Sequence, residues 1–153
     1  MKCFSGGADK SIQMLDLPSG QSIPMSNAHD GAVSCLRWVT SPAFSALVSG
    51  SWDKTLKYWD LRSPTAMATV QLPERCYAMD FAGDLLVVGT AERHLLMYSM
   101  SSGNPAQPVK TISSPLKWQT RTVSCFPNGS GFAVGSIEGR VGIQYVNPVK
   151  AEE

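Results

Sequence analysis

The stretch Ser49-Gly-Ser-Trp-Asp-Lys-Thr-Leu-Lys-Tyr-Trp-Asp60 has the pattern of two strands joined by a tight polar turn. Asp53 lies in the turn, where a short polar side chain favours chain reversal. Beyond the turn, Leu56 and Tyr58 are expected to face one side of a strand and Trp59 the other, because strand side chains alternate with a period of two. The stretch therefore predicts a strand end, a turn and a second strand.

The same layout occurs four times along the chain. Its glycines are spaced by 44, 39 and 46 residues, and the acidic turn residues keep the same spacing. The aligned residues are Gly6, Gly50, Gly89 and Gly135, followed by Asp9, Asp53, Glu92 and Glu138. A period of about 40–45 residues, with one copy ending in Trp-Asp, is typical of the four-stranded blades of a WD-repeat β-propeller.

The repeat predicts an all-β fold of about three and a half blades. We expect residues 1–26 to form the end of a blade, 27–73 a complete blade, 74–113 a further blade and 114–148 an incomplete one. Propellers usually have about four blades or more. We therefore expect this sequence to be a piece of a longer chain.

Composition excludes several classes of protein. The formal net charge of +1 and the pI near 7.7 indicate neither a polyanion-binding protein nor an acidic tail. No apolar run approaches the roughly 20 residues of a membrane span, and no signal peptide is visible, so we expect an intracellular protein without membrane insertion. The four cysteines are far apart and form no Cys-x-x-Cys pair. They predict reduced core thiols rather than a zinc site or a redox motif.

A histidine, an aspartate and two serines in the most regular repeat allow two interpretations. His29 and Asp53 with a hydroxyl could suggest hydrolytic chemistry. The repeat layout instead favours a buried structural hydrogen-bond network that runs from Trp59 through Ser49 or Ser51 to His29 and Asp53. Such a network satisfies polar groups that are costly to bury alone.

Two segments carry cations on predicted turns. Lys117 and Arg121 flank a tryptophan, and their simplest interpretation is a solvated loop. Arg140 follows Gly139 at the predicted rim of a blade. A rigidly held guanidinium suits a carboxylate partner, because its planar fork can bind both oxygens.

Longer motifs in the chain resemble those of the messenger-RNA export propellers of the nuclear pore. The motifs are Gly50-Ser-Trp-Asp-Lys-Thr-Leu-Lys-Tyr-Trp-Asp60, Gln71-Leu-Pro-Glu-Arg-Cys-Tyr77, Thr90-Ala-Glu-Arg93, Ser114-Pro-Leu-Lys117 and Gly135-Ser-Ile-Glu-Gly-Arg-Val141. The related mitotic-checkpoint propellers share Gly-Ser-Trp-Asp, the Leu-Lys-x-Gln-x-Arg run and Ser-Ile-Glu-Gly-Arg-Val. Leu72-Pro-Glu-Arg-Cys-Tyr77 favours the export family, and Gln119-Thr-Arg121 leans toward the checkpoint family.

The resemblance implies a seven-bladed adaptor that is not an enzyme and needs no cofactor. Its partner would be a Phe-Gly nucleoporin, bound through a short Glu-rich segment across the propeller face. Arg140 would pair with a glutamate of that segment, and Lys117 and Arg121 would support it. The resemblance also implies association with RNA and a location in the nucleus, at the nuclear envelope and in the cytoplasm.

Three alternatives remain open at the level of sequence. A spindle-checkpoint adaptor would bind kinetochore proteins with the same face. An enzyme would present His29, exposed, beside a nucleophile in a pocket. A truncated fragment without stable function would aggregate or unfold with poor cooperativity.

Overall fold

The computed structural model describes residues 1–25 and 27–147, which form four antiparallel sheets. The first sheet contains β1 (Lys2–Gly6), β2 (Ile12–Asp16) and β3 (Gln21–Met25). The second contains β4 (Val33–Thr40), β5 (Ser45–Ser51), β6 (Thr55–Trp59) and β7 (Ala66–Gln71). The third contains β8 (Cys76–Ala82), β9 (Leu85–Thr90), β10 (His94–Ser99) and β11 (Lys110–Ser113). The fourth contains β12 (Thr120–Cys125), β13 (Gly131–Ser136) and β14 (Val141–Tyr145).

The predicted all-β fold is confirmed. Helical geometry in the described residues is limited to a 3-10 turn at Ala91–Arg93, and none of their helices could cross a membrane. The repeated layout at Gly6 predicted only the end of β1, the first strand of the first sheet. The predicted segment ends at residues 26 and 148 lie outside the described residues, and the other boundaries fall in connections between sheets.

Three apolar cores hold the sheets together, one between each successive pair. The first core includes Trp59, and the second includes Leu56 and Tyr58. The third core lies between the third and fourth sheets and includes Phe132. The predicted alternation of β6 is therefore confirmed, because its two faces contribute to two different cores. Both middle sheets are covered on each side.

The aligned glycines allow neighbouring sheets to approach each other. A Cβ atom added at Gly89 would lie 3.1 Å from Thr120 Cγ2, and one at Gly6 would lie 3.0 Å from Val33 Cβ. At Gly50 the added atom would meet Cys76. Val33, Cys76 and Thr120 are the first residues of β4, β8 and β12. The repeated glycine therefore makes room for the next sheet's first strand, and the sheets converge along these three strands.

Candidate functional site

A continuous hydrogen-bond chain crosses the second sheet. Trp59 Nε1 donates to Ser49 Oγ at 2.9 Å, and Ser49 Oγ lies 2.7 Å from His29 Nε2. His29 Nδ1 lies 2.9 Å from Asp53 Oδ2. Ser51 is outside this chain, because its hydroxyl donates to the carbonyl of Gly31. The structure thus brings together four of the five residues that the sequence assigned to the network.

Burial and hydrogen bonding set the charge states of His29 and Asp53 in this network. Burial lowers the pKa of His29 and outweighs the opposing influence of Asp53, so the imidazole is neutral and donates its Nδ1 proton to the carboxylate. His29 Nδ1 is close enough to Asp53 Oδ2 for an ion pair. The free-energy cost of burying a charged imidazole exceeds the gain from that pair, so the ring stays neutral. Burial alone would raise the pKa of Asp53, but hydrogen bonds from Thr55, the Asp30 amide and His29 lower it.

This geometry does not present His29 to a substrate. Its side chain is inaccessible to solvent, and Ser49 is buried as well. The Ser49 hydroxyl is held between the histidine and the indole of Trp59. The exposed histidine beside a nucleophile that a hydrolytic site requires is therefore not found here.

The predicted cations lie at one end of the sheets, which we call the upper face. It comprises the turns 7–10, 52–54, 91–93 and 137–140 and the connections 27–32, 72–75 and 114–119. In the fourth sheet, Ile137 N donates to Gln119 O at 3.1 Å and ties the turn that contains Arg140 to the connection that contains Lys117. The structure therefore places Lys117, Arg121 and Arg140 at the same end of one sheet.

Arg140 extends into solvent from its turn. Its side chain is 77% exposed and its Nε lies 3.8 Å from Glu138 Oε2, a loose contact. Gly139 has a φ of 81°, in the left-handed region that glycine adopts without strain. Lys54 and Arg93 have similar positive φ values in the corresponding turns. Glycine therefore suits this turn, and the Arg140 guanidinium stays largely exposed to solvent.

A β-bulge recurs at the upper end of the first strand in three sheets. The register skips Ser34 in β4, Tyr77 in β8 and Arg121 in β12. A bulge leaves one residue unpaired and redirects its side chain. All three bulge residues line one cavity of about 280 Å³, together with Trp52, Gln119 and Thr120. Three equivalent positions from successive sheets therefore converge on a single site.

Aromatic and cationic groups surround this cavity. Trp52 and Tyr77 meet edge to face with ring centroids 6.2 Å apart, and the Arg75 guanidinium lies 5.6 Å from the Trp52 ring. Lys117 lies 5.5 Å from the Trp118 ring in the adjacent connection. Thr120 is 1% exposed, and its hydroxyl has no hydrogen-bond partner among the described residues. The cavity thus combines flat apolar surfaces, cations and an unsatisfied polar atom.

Comparison with known proteins identifies the architecture. The WD domain, G-beta repeat model matches residues 20–60, which include β4, β5 and β6 of the second sheet. The solved WD40 β-propeller domain of Doa1 superposes on 97% of this chain and 48% of its own, with a TM-score of 0.79 and 22% identity. This chain has the fold of a WD40 β-propeller. Its four sheets correspond to about three and a half blades.

Several curated proteins that are similar to this chain are named as RNA-export proteins. The mRNA export factor GLE2 of Chaetomium thermophilum is 50% identical over 95% of the chain, and the Poly(A)+ RNA export protein of Schizosaccharomyces pombe is 48% identical over 99%. Mitotic checkpoint protein BUB3.1 of Arabidopsis thaliana is 39% identical over 98%. The predicted resemblance to export propellers, with checkpoint propellers as more distant relatives, is confirmed. The chain spans 40 to 44% of the length of these relatives.

Sequence reasoning missed half of the propeller's cavity. Trp52 and Tyr77 appeared in the motifs that carry the resemblance, but no site role was predicted for them. Ser34 carried no predicted role at all. Alternation with a period of two cannot reveal a bulge, because the extra residue shifts the pattern by one. The 43- and 44-residue spacings of Ser34, Tyr77 and Arg121 were the available signal.

Proposed function

We propose that this propeller segment is a non-enzymatic adaptor in messenger-RNA export. Its upper face binds a Glu-rich segment of a Phe-Gly nucleoporin. Two relatives that are named as RNA-export proteins support a role in this process. The adaptor acts in the nucleus, at the nuclear envelope and in the cytoplasm.

The position of three cations at the upper end of the fourth sheet carries this proposal. Arg121 projects from the bulge of β12 into the cavity wall, and Lys117 and Arg140 lie beyond it on the same sheet. A guanidinium binds a carboxylate through two parallel hydrogen bonds. A peptide with several glutamates can engage these cations together, whereas a single carboxylate can engage only one.

The aromatic wall adds a second element of recognition. Trp52 is 48% exposed, which is a large apolar area for a surface side chain. Apolar atoms of a peptide backbone or side chain can pack on its ring. We propose that the cations align the acidic segment while the cavity anchors one of its residues.

Titration of the chain with a Glu-rich nucleoporin segment tests the proposal. We expect the parent chain to bind, and Arg140→Glu to weaken binding by about 2–5 kcal/mol, the usual effect of spoiling a buried interfacial charge pair. Arg62→Glu is the matched control, because Arg62 is 90% exposed in the turn between β6 and β7, at the opposite end of the sheet.

Circular dichroism of each variant establishes that it is folded. Binding that responds to Arg140 and not to Arg62 supports the upper face as the docking site. Absence of binding by the folded parent, or equal losses in the two variants, would contradict the proposal. Excess single-stranded RNA in the same titration tests whether RNA occupies this face.

A spindle-checkpoint adaptor is the second candidate, favoured by the Lys117-Trp-Gln-Thr-Arg121 run and by the relative BUB3.1. It would use the same cations with an acidic segment of a kinetochore protein. Competition between a nucleoporin segment and a kinetochore segment for one chain distinguishes the two candidates. Tighter binding of the kinetochore segment would favour the checkpoint function.

A further inference from the structure

Two cysteines from adjacent sheets meet beneath the upper face. Cys35 lies opposite Gly50 in the register of β4 and β5, and Cys76 begins β8 of the next sheet. A Cβ atom placed on Gly50 would lie 3.2 Å from Cys76 Cβ and 3.8 Å from Cys35 Cβ. The space left by one missing side chain is therefore shared by the two cysteines, 41 residues apart in sequence.

Their thiol groups are close enough to interact. Cys76 Sγ is the atom nearest to the Cβ added at Gly50, so its thiol points into the space that Cys35 also borders. A disulfide requires Cβ atoms about 3.5–4.5 Å apart. Both cysteine Cβ atoms border the same space at Gly50. Movement of the two side chains into this shared space would bring the sulfurs together.

The two thiols differ in character. A hydrogen bond from Cys76 lowers the pKa of Cys35 to about 7, because it stabilises the thiolate. The same hydrogen bond and burial raise the pKa of Cys76. Cys35 is half-buried and lines a cavity of about 160 Å³, whereas Cys76 is fully buried. This arrangement matches a reactive thiol with a resolving thiol beside it.

The neighbouring sheet interface shows that packing alone does not require this pair. Around Gly89, the residues corresponding to Cys35 and Cys76 are Ala78 and Thr120. Both are unreactive, yet they fill the same positions between the third and fourth sheets. The sequence analysis predicted four core thiols and no redox motif, but Cys3 is exposed and Cys35 adjoins Cys76.

We propose that Cys35 and Cys76 form an oxidation site at which hydrogen peroxide creates a disulfide between the second and third sheets. The Cys35 thiolate attacks a peroxide oxygen, the O–O bond breaks, and the departing hydroxide becomes water on protonation. Cys35 is then a sulfenic acid. The Cys76 sulfur attacks the Cys35 sulfur, the S–O bond breaks, and the hydroxide leaves as water with the Cys76 proton. Two thiols thus lose two electrons to one peroxide, and two waters form.

The site lies directly below the proposed docking cavity. Ser34 and Tyr77, which line that cavity, are the chain neighbours of Cys35 and Cys76, and Ser34 Oγ donates to the Cys76 carbonyl at 2.7 Å. The oxidation itself does not rest on the proposed partner. Its test needs no ligand.

Peptide mapping of the peroxide-treated 153-residue chain tests the proposal. After treatment with about one equivalent of peroxide, free thiols are blocked with N-ethylmaleimide and the chain is digested with trypsin. The four cysteines fall in four different tryptic peptides, with Cys35 in residues 11–37 and Cys76 in residues 76–93. We expect these two peptides to be linked about tenfold more often than any pair that includes Cys3 or Cys125.

Variants separate a specific site from general oxidation. Cys35→Ser abolishes the linked peptide, whereas Cys3→Ser and Cys125→Ser retain it. Cys125 is a suitable control because burial raises its pKa to about 12. Even if a variant unfolds, peptide mapping of the parent chain still shows whether Cys35 and Cys76 are linked. Cys35 recovered as sulfinic acid with Cys76 still free, or random pairing of all four cysteines, would overturn the proposal.

Discussion

At the scale of single residues, one neutral histidine joins the polar groups of the second sheet. His29 accepts from Ser49 and donates to Asp53, and the first of these interactions requires the uncharged ring. Burial lowers the pKa of His29, because a cation is unfavourable at this site. Protonation of the ring would therefore destabilise the fold. The network therefore makes stability sensitive to pH.

We expect the free energy of unfolding to fall as the pH drops below about 6.5, the ordinary pKa of histidine in an unfolded chain. The folded-state pKa of His29 is lower, so the unfolded chain binds more protons in this range and protonation favours unfolding. Asp53 adds a further loss only below its unfolded pKa of 3.8. Urea unfolding of the parent and of His29→Gln between pH 7 and about pH 5 measures this effect. An equal pH dependence in both proteins would contradict the assignment.

Ser49→Ala tests the network by removing its central hydroxyl. The substitution leaves Trp59 Nε1 and His29 Nε2 buried without their partner, and each such group costs about 1–3 kcal/mol. Ser45→Ala, at the exposed start of the same strand, should stay within about 0.5 kcal/mol of the parent. Chemical denaturation gives both values. Similar small changes in the two variants would show that the network adds little stability.

At the scale of elements, the repeated glycine and the bulge opposite it determine how neighbouring sheets meet. Gly50, Gly89 and Gly135 each lie across from the residue that follows a bulge. The glycine admits the next sheet, and the bulge turns one side chain toward the shared cavity. Sheet packing and the candidate site therefore depend on the same local feature.

Gly50→Ala should destabilise the chain by about 1–3 kcal/mol, the usual effect of overpacking a well-filled core. The new methyl group would meet Cys76 and press on the second core. Gly103→Ala is the control, because no atom lies within 4 Å of its added Cβ. Thermal unfolding followed by circular dichroism compares the variants. A Gly50 variant as stable as the control would show that the sheets adjust freely.

The strands could be predicted because their chemistry is local. The hairpin around Asp53 and the alternation of Leu56 and Trp59 are both visible in the sequence and present in the structure. The cavity could not be predicted in the same way, since it depends on bulges and on three sheets meeting. Arg121 was identified from a motif, but its convergence with Tyr77 appears only in three dimensions.

At the scale of the whole molecule, the described segment has an apolar surface on the last sheet. Val141, Ile143 and Tyr145 lie on one face of β14 and are 67%, 46% and 40% exposed. β14 is also an edge of its sheet within the described residues. Exposed apolar residues on an edge strand favour association between chains.

We expect the isolated 153-residue chain to self-associate as its concentration rises, and Ile143→Lys to reduce this association. A lysine on an edge strand disfavours strand pairing and costs little where the original side chain is half exposed. Thr65→Lys adds the same charge in an exposed turn and should leave association unchanged. Sedimentation velocity over a concentration series measures the effect. Equal association of the two variants would contradict the role of this face.

A charge-swap cycle tests whether the cations at the upper end of the fourth sheet bind an acidic segment. Binding is measured for the parent and Arg140→Glu, each with a Glu-rich segment and with the same segment carrying one Glu→Arg change. We predict that each single change weakens binding and that the two together restore it, with a coupling energy of about 1.5 kcal/mol or more for one glutamate position. Coupling near zero at every glutamate, in folded proteins, would show that Arg140 does not contact the segment and would contradict the account.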